Sequence, residues 1–182
     1  RESAAQLLIR AGVNPHKPFI LLHPGASARA RRYPPDRSGQ VAEMLARRGW
    51  QVLVTGVERE KAILDVVAAH APHAHFLIAE TTLPQYAALV EAAQLVICGN
   101  TLPLHLADAT ATPVLSLYSG TDYESQWAPR RVAHRLLRRP TACYPCYLFD
   151  CPIGQPCLDF DPGEVVAAAE ELLGQARLVY AS

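Results

Sequence analysis

The chain has 182 residues, seventeen of them basic and seventeen acidic. A net charge of zero leaves no global positive field, which excludes bulk electrostatic binding to nucleic acid. Half of the residues are hydrophobic and 19% are charged, a globular composition whose length suits one domain, and no apolar run approaches the roughly 20 residues of a membrane-spanning helix. The chain begins at Arg1 with no signal peptide, so the expectation is a single domain, residues 1–182, of a longer two-domain protein.

Residues 2–11 read as a short helix, with Leu7, Leu8 and Ala11 on one side and Gly12 as its stop. Residues 19–22 are an apolar run after Pro18, a buried strand, and residues 23–34 form a loop. Asp36 is positioned to cap a helix running through Val41, Met44 and Leu45 to Gly49. Residues 50–54 read as a strand, 58–69 as a helix and 75–78 as a strand. Residues 83–93 follow as a helix with Pro84 in its first turn, where a missing N–H costs nothing. Residues 95–98, 113–118 and 132–137 read as strands and 104–110 as a helix, and a last helix over 164–173 is stopped by Gly174. The Cys- and Pro-rich residues 141–158 break the pattern as a long loop.

These strands are continuous apolar runs rather than alternating ones, so they are buried on both faces, as in a parallel sheet covered by helices. The expected fold is a Rossmann-like three-layer α/β/α sandwich. In such a sheet the ligand sits beyond the carboxyl ends of the strands. The first loop there holds Gly25, Ser27 and Arg29, Arg31 and Arg32, among six arginines between Arg29 and Arg48. Those side chains are either a solvated face or a basic loop meeting an anion. On position alone, Gly25 fits a tight turn as well as a close approach to phosphate. No GxGxxG or Walker pattern is present. The loop at residues 99–105 ends a strand with Gly99 and Asn100, and Thr101 can cap the next helix, whose N-terminus would offer N–H groups to an anion. His105 is either a ligand of that anion or an ordinary buried histidine.

His23-Pro24-Gly25-Ala26-Ser27 with Arg31-Arg32-Tyr33-Pro34 resembles the His-Pro-Gly…Lys-Arg-Trp-Pro stretch of the heptosyltransferases, glycosyltransferase family 9. Residues 99–109 are similar to that family's Asn-Asp-Ser/Thr-Gly-x-x-His-Leu-Ala-x-Ala motif, and Tyr118 to Asp122 and Trp127-x-Pro129 continue the match in order. The resemblance implies the C-terminal, donor-binding half of a GT-B enzyme. That enzyme would transfer a sugar from ADP-heptose or a related donor to a lipid-linked or polysaccharide acceptor, and no cofactor is required. It implies an N-terminal acceptor domain of the same protein that supplies the general base. It also implies a cytoplasmic location, with the full-length protein peripheral to the inner face of the membrane. By the same mapping Ser27 and Arg31 address the diphosphate, and Glu60 takes the place of the ribose-binding acid. Thr82 edges the base, and Thr101, Leu102 and His105 surround the diphosphate. Asn100 and Leu102 stand where the family has Asp and Gly. Asn100 therefore keeps hydrogen bonding to the donor sugar but loses the charge.

Cys143, Cys146, Cys151 and Cys157 are spaced C-x2-C-x4-C-x5-C. Four close thiols suit a structural zinc or iron–sulfur site, and equally reduced thiols or disulfides. Either a metal or thiol pairing would restrain the loop. Two other functions stay open: a nucleotide-sugar-binding module without catalysis, and a metal-stapled interaction domain.

Overall fold

A computed structural model describes residues 3–180. In chain order the elements are α1 (Ala4–Arg10), β1 (Phe19–His23), α2 (Pro35–Arg47), β2 (Gln51–Gly56), α3 (Lys61–His70), β3 (His75–Ile78), α4 (Leu83–Ala92), β4 (Leu95–Gly99), α5 (Leu102–Ala109), β5 (Val114–Leu117), α6 (Glu124–Trp127), β6 (His134–Leu137) and α7 (Pro162–Tyr180). Single 3-10 turns occupy Arg29–Arg31, Glu58–Glu60 and Pro156–Leu158. The predicted helix start at Glu2 lies outside the described residues; Ser3 caps α1, accepting the Gln6 N–H at 3.3 Å. Among the described residues no helix is long and apolar enough to cross a membrane.

The six strands form one sheet in the order β3-β2-β1-β4-β5-β6, and every pairing is parallel. Successive side chains of a strand point to opposite faces, so each strand feeds two cores. Ile20, Leu22, Val52, Val54, Leu95 and Ile97 pack on one side with Val41 and Leu45 of α2, Leu64 and Val67 of α3, and Val165 and Ala169 of α7. Phe19, Leu21, Leu53, Val96 and Cys98 pack on the other with Leu7 of α1, Leu89 of α4 and Leu104 of α5. This is the Rossmann-like sandwich expected from the apolar runs.

Three local expectations are corrected. Pro34 occupies the N-cap of α2, so Asp36 lies in the first turn and makes no cap bond; its charge there still faces the positive end of the helix dipole. The helix expected from residue 104 begins at Leu102, because Pro103 fits a first turn. Gly174 does not end the last helix, which runs to Tyr180. Gly12 and Gly49 do act as stops, with φ of 80° and 89°.

Residues 141–158 lie as a strap across the loops that follow β1 and β5. The Ala30 N–H donates to the Phe149 carbonyl at 2.8 Å, and the Cys146 and Tyr147 N–H groups donate to the Gly120 and Thr121 carbonyls at 2.9 Å each. The Gln155 amide donates to the Arg29 and Arg32 carbonyls at 2.7 and 3.1 Å. Arg138 is ion-paired with Glu124 and stacks over Tyr144 at 3.9 Å. The restraint expected of thiols or metal is thus supplied by backbone hydrogen bonds.

Helices α2 and α3 meet at Gly39, where a Cβ would lie 2.6 Å from the His70 Cβ and 2.7 Å from the Val67 carbonyl oxygen. Gly39→Ala gains helix propensity, but the overpacking outweighs it. The expected net loss of unfolding free energy is about 1–2 kcal/mol, read from chemical denaturation.

Candidate functional site

β1 lies at the middle of the sheet, hydrogen-bonded to β2 on one edge and to β4 on the other. The chain leaves β1 toward α2 on one face and leaves β4 toward α5 on the opposite face. Their loops diverge and open a crevice between them. A cleft of about 310 Å³ occupies it, walled by Gly25 to Ser27, Thr81 to Leu83 and Thr101 to Pro103, with Arg59 also at its lining.

The floor of the cleft is a buried polar cluster. The Thr55 hydroxyl lies 3.2 Å from His23 Nδ1 and 3.3 Å from the Tyr86 hydroxyl, and His23 Nε2 is 3.8 Å from Glu60 Oε2. The Glu60 side chain is 3% exposed and accepts the Val57 N–H at 3.1 Å. A Cβ on Gly25 would collide with the Glu60 carboxyl group, so any larger residue there displaces that carboxyl group from its place in the floor. Burial lowers the His23 pKa against the opposing pull of Glu60, and the imidazole is neutral at pH 7. Burial pushes the Tyr86 hydroxyl up, so it stays protonated.

At the far wall, Thr101 takes the N-cap position of α5 but makes no capping bond, and its buried hydroxyl has no partner. Pro103 has no N–H and the Leu104 N–H donates to the Thr101 carbonyl at 3.1 Å, so at this helix start the Leu102 N–H is the one that no side chain caps. Thr82 is different: it caps α4, and its hydroxyl and N–H both donate to Gln85 Oε1, at 2.8 and 2.9 Å.

Five of the residues singled out in the sequence thus meet at one cleft: Ser27, Glu60, Thr82, Thr101 and Leu102. Three do not line it. Arg31 is turned behind the start of α5, paired with Asp122 at 2.8 Å and bonded to Thr121 Oγ1 at 3.1 Å and the Asn100 carbonyl at 3.4 Å. Asn100 is buried, with its amide fully engaged as a brace to the loop after β5. Its Oδ1 accepts the Ser119 N–H and hydroxyl, and its Nδ2 donates to Thr121 and Asp122. His105 is exposed on the outer side of α5, against Trp127 with ring centroids 5.5 Å apart. Sequence reasoning passed over His23, Thr55 and Tyr86, whose polar groups stand in apolar stretches that bury them, and Arg59, which sits one residue before Glu60 in a loop already singled out.

The four late cysteines are all free. Cys143 Sγ donates to the Thr141 hydroxyl at 3.5 Å, Cys151 Sγ accepts the Gln155 N–H at 3.2 Å, and Cys157 is buried in the core. Among the described residues no three His, Cys, Asp or Glu side chains are placed to hold a metal ion, while Cys157, its thiol pushed up by burial, lies near enough to Cys151 and Cys143 to feel their charge.

A crevice at the switch point of an all-parallel sheet, closed by an uncapped helix N-terminus, is the geometry with which Rossmann-like domains hold a phosphate-bearing ligand. The chain belongs to glycosyltransferase family 9 (heptosyltransferase), whose model matches residues 2–155. It is 31% identical over 122 residues to lipopolysaccharide heptosyltransferase 3 of Escherichia coli strain K12, a match covering 65% of this chain and 35% of that protein. Among solved structures it is similar to a family 9 glycosyl transferase from Veillonella parvula, with TM-score 0.83 and 19% identity over 94% of this chain and 50% of that one. It is also similar to E. coli ADP-heptose lps heptosyltransferase II, with TM-score 0.77 and 21% identity over 96% and 52%. The chain therefore spans about a third of the curated relative and about half of each solved chain.

Two measurements test this site. An unfolded imidazole titrates near 6.5 and His23 titrates lower, so the unfolded state binds more protons between those values. Stability is then fully present above about pH 6.5 and falls as pH drops through that window. His23→Gln should remove this component from denaturation midpoints compared between pH 7.5 and 5.5, roughly the span of histidine titration. Elemental analysis after purification under reducing conditions should show no stoichiometric zinc or iron; near-equimolar metal would require the thiols to converge.

Proposed function

We propose that the chain is the donor-binding half of a glycosyltransferase that moves a sugar from ADP-heptose or a related nucleotide sugar to a lipid-linked or polysaccharide acceptor. The observation that carries this reading is the buried, unpartnered Thr101 hydroxyl at the start of α5, on a residue that lines the same cleft as Ser27 and Glu60. Thr101 Oγ1, the Leu102 N–H and Ser27 bind the diphosphate, Glu60 binds the ribose, and Thr81 and Thr82 edge the base. Arg31, held at the Asn100 carbonyl, adds positive charge behind the phosphates. His105 reaches the diphosphate only by leaving Trp127. As the glycosidic bond breaks, charge grows on the departing diphosphate, and helix N–H groups and guanidinium stabilise it, the work a divalent cation performs elsewhere.

On this reading the acceptor and the general base belong to an N-terminal domain of the same protein. The whole enzyme works in the cytoplasm at the inner face of the membrane. A second reading, donor binding without transfer, is favoured by one observation: the Asn100 amide is fully engaged and has no free group for a sugar hydroxyl.

Calorimetric titration should show ADP binding more tightly than UDP, and the chain alone should transfer no sugar from ADP-heptose. No binding of either nucleotide at millimolar concentration ends the donor-site reading, and turnover by this chain alone ends the half-enzyme reading. Arg31→Ala should weaken ADP by about tenfold, since it removes both the positive charge behind the phosphates and the pairing with Asp122 that braces the start of α5. Arg138→Ala, whose side chain contacts Glu124, Tyr144 and the Arg139 carbonyl and does not line the cleft, should change ADP affinity by less than about twofold.

A further inference from the structure

We propose that the depression on the outer side of α5 is a second ligand site, one that holds a sugar ring. It has a volume of about 230 Å³, below the roughly 300–1,000 Å³ of pockets for drug-sized ligands and matched to a single ring. One wall is α5, through His105 and Asp108; the other is the end of α6, through Gln126 and Trp127, with Arg130 in the turn that follows. Asp108 Oδ1 fastens the two together by accepting the N–H groups of Arg130 and Arg131 at 2.8 Å each. The turn is thereby fixed against the helix, and the side chains it carries are presented in a set arrangement.

Those side chains are uncommitted. Among the described residues the Gln126 and Arg130 side chains make no hydrogen bond or ion pair, their main-chain N–H groups being bonded to Tyr123 and Asp108, and the Trp127 ring contacts His105. Six other surface arginines, Arg29, Arg37, Arg47, Arg48, Arg135 and Arg139, are each paired with a carboxylate. Trp127 is 50% exposed, inclined at 61° to His105. The cavity thus offers a half-open indole, donors on Arg130, Gln126 and His105, and a second Asp108 oxygen able to accept. An apolar face ringed by unspent donors and an acceptor is complementary to a pyranose. The ring's C–H face lies on the indole, and its hydroxyls take the polar groups.

The position has a further meaning. Leu102 and His105 stand three residues apart on α5, a rise of about 4.5 Å, so the depression adjoins the cleft. If the transferase reading holds, and this clause rests on it, the ring held here belongs to the acceptor. Binding of the ring itself does not depend on that reading.

The experiment is a saturation-transfer NMR titration of the chain with the methyl glycosides of glucose, galactose, mannose and glucuronic acid, run beside calorimetric titration with ADP. At least one glycoside should bind saturably, and Trp127→Ala should weaken it by about fivefold or more, as loss of an aromatic contact predicts. Trp127→Tyr should restore most of the binding, Arg130→Ala should weaken it with ADP affinity unchanged, and ADP affinity should not fall in either Trp127 variant. The proposal is overturned if no glycoside binds up to about 50 mM, beyond the affinity of a weak single-ring ligand. It is also overturned if binding survives Trp127→Ala, or if ADP displaces the glycoside and so places it in the donor cleft. Glycoside binding without ADP binding would uphold this site while removing the donor reading.

Discussion

The Gly25 backbone passes so close to the buried Glu60 carboxyl group that no Cβ fits between them. That contact sits where β1, central in the sheet, hands the chain to α2. Because β1 is flanked by β2 and β4, its carboxyl end is where the connections part to opposite faces. The close approach keeps the first loop down on the end of β2, with Glu60 and His23 beneath it, and leaves the space beside α5 open. Had the loop stood higher, the cleft floor of His23, Thr55, Tyr86 and Glu60 would be in water. The lowered His23 pKa and the protonated Tyr86 both follow from that burial.

The wall opposite is held by a different device. Asn100 spends both ends of its amide on the loop after β5, and Asp122 in that loop holds Arg31. A buried amide with all its bonds made fixes geometry, since breaking any one leaves a desolvated group unpaired. The strap at residues 141–158 then lies over the same two loops, joined to them through main-chain bonds to Ala30, Gly120 and Thr121. The helix start at Thr101 is thus framed by rigid neighbours while the Thr101 hydroxyl is left without a partner. In this family 9 chain the polar groups that brace the site and those left open to a ligand are separate sets.

Much of the architecture was legible before any coordinates. Uninterrupted apolar runs such as Ile20 to Leu22 and Val96 to Cys98 can only be buried on both faces, and that requirement alone imposes a parallel sheet covered by helices. Gly12 and Gly49 ended helices because they reach positive φ, whereas Gly174 stayed helical, because composition does not say whether a glycine will use its freedom. Of the site, the rule that loops after parallel strands share one end of the sheet brought together the loops holding Ser27, Glu60, Thr82, Thr101 and Leu102, and the resemblance to family 9 singled those residues out within them.

The sequence by itself determined which loops lie together, since strand direction and alternation with helices leave no other arrangement. Only the tertiary structure decided where each side chain points. Whether Asn100 faces a ligand or the next loop depends on Ser119, Thr121 and Asp122, about twenty residues away along the chain. His105 turned to Trp127, and Arg31 to Asp122, for the same reason. The cysteines looked like a metal site by spacing, yet spacing does not fix the direction of four sulfurs on a strap whose path is set by backbone bonds to two other loops. Side-chain orientation is settled by long-range partners, and those are brought into reach only when the sheet has formed.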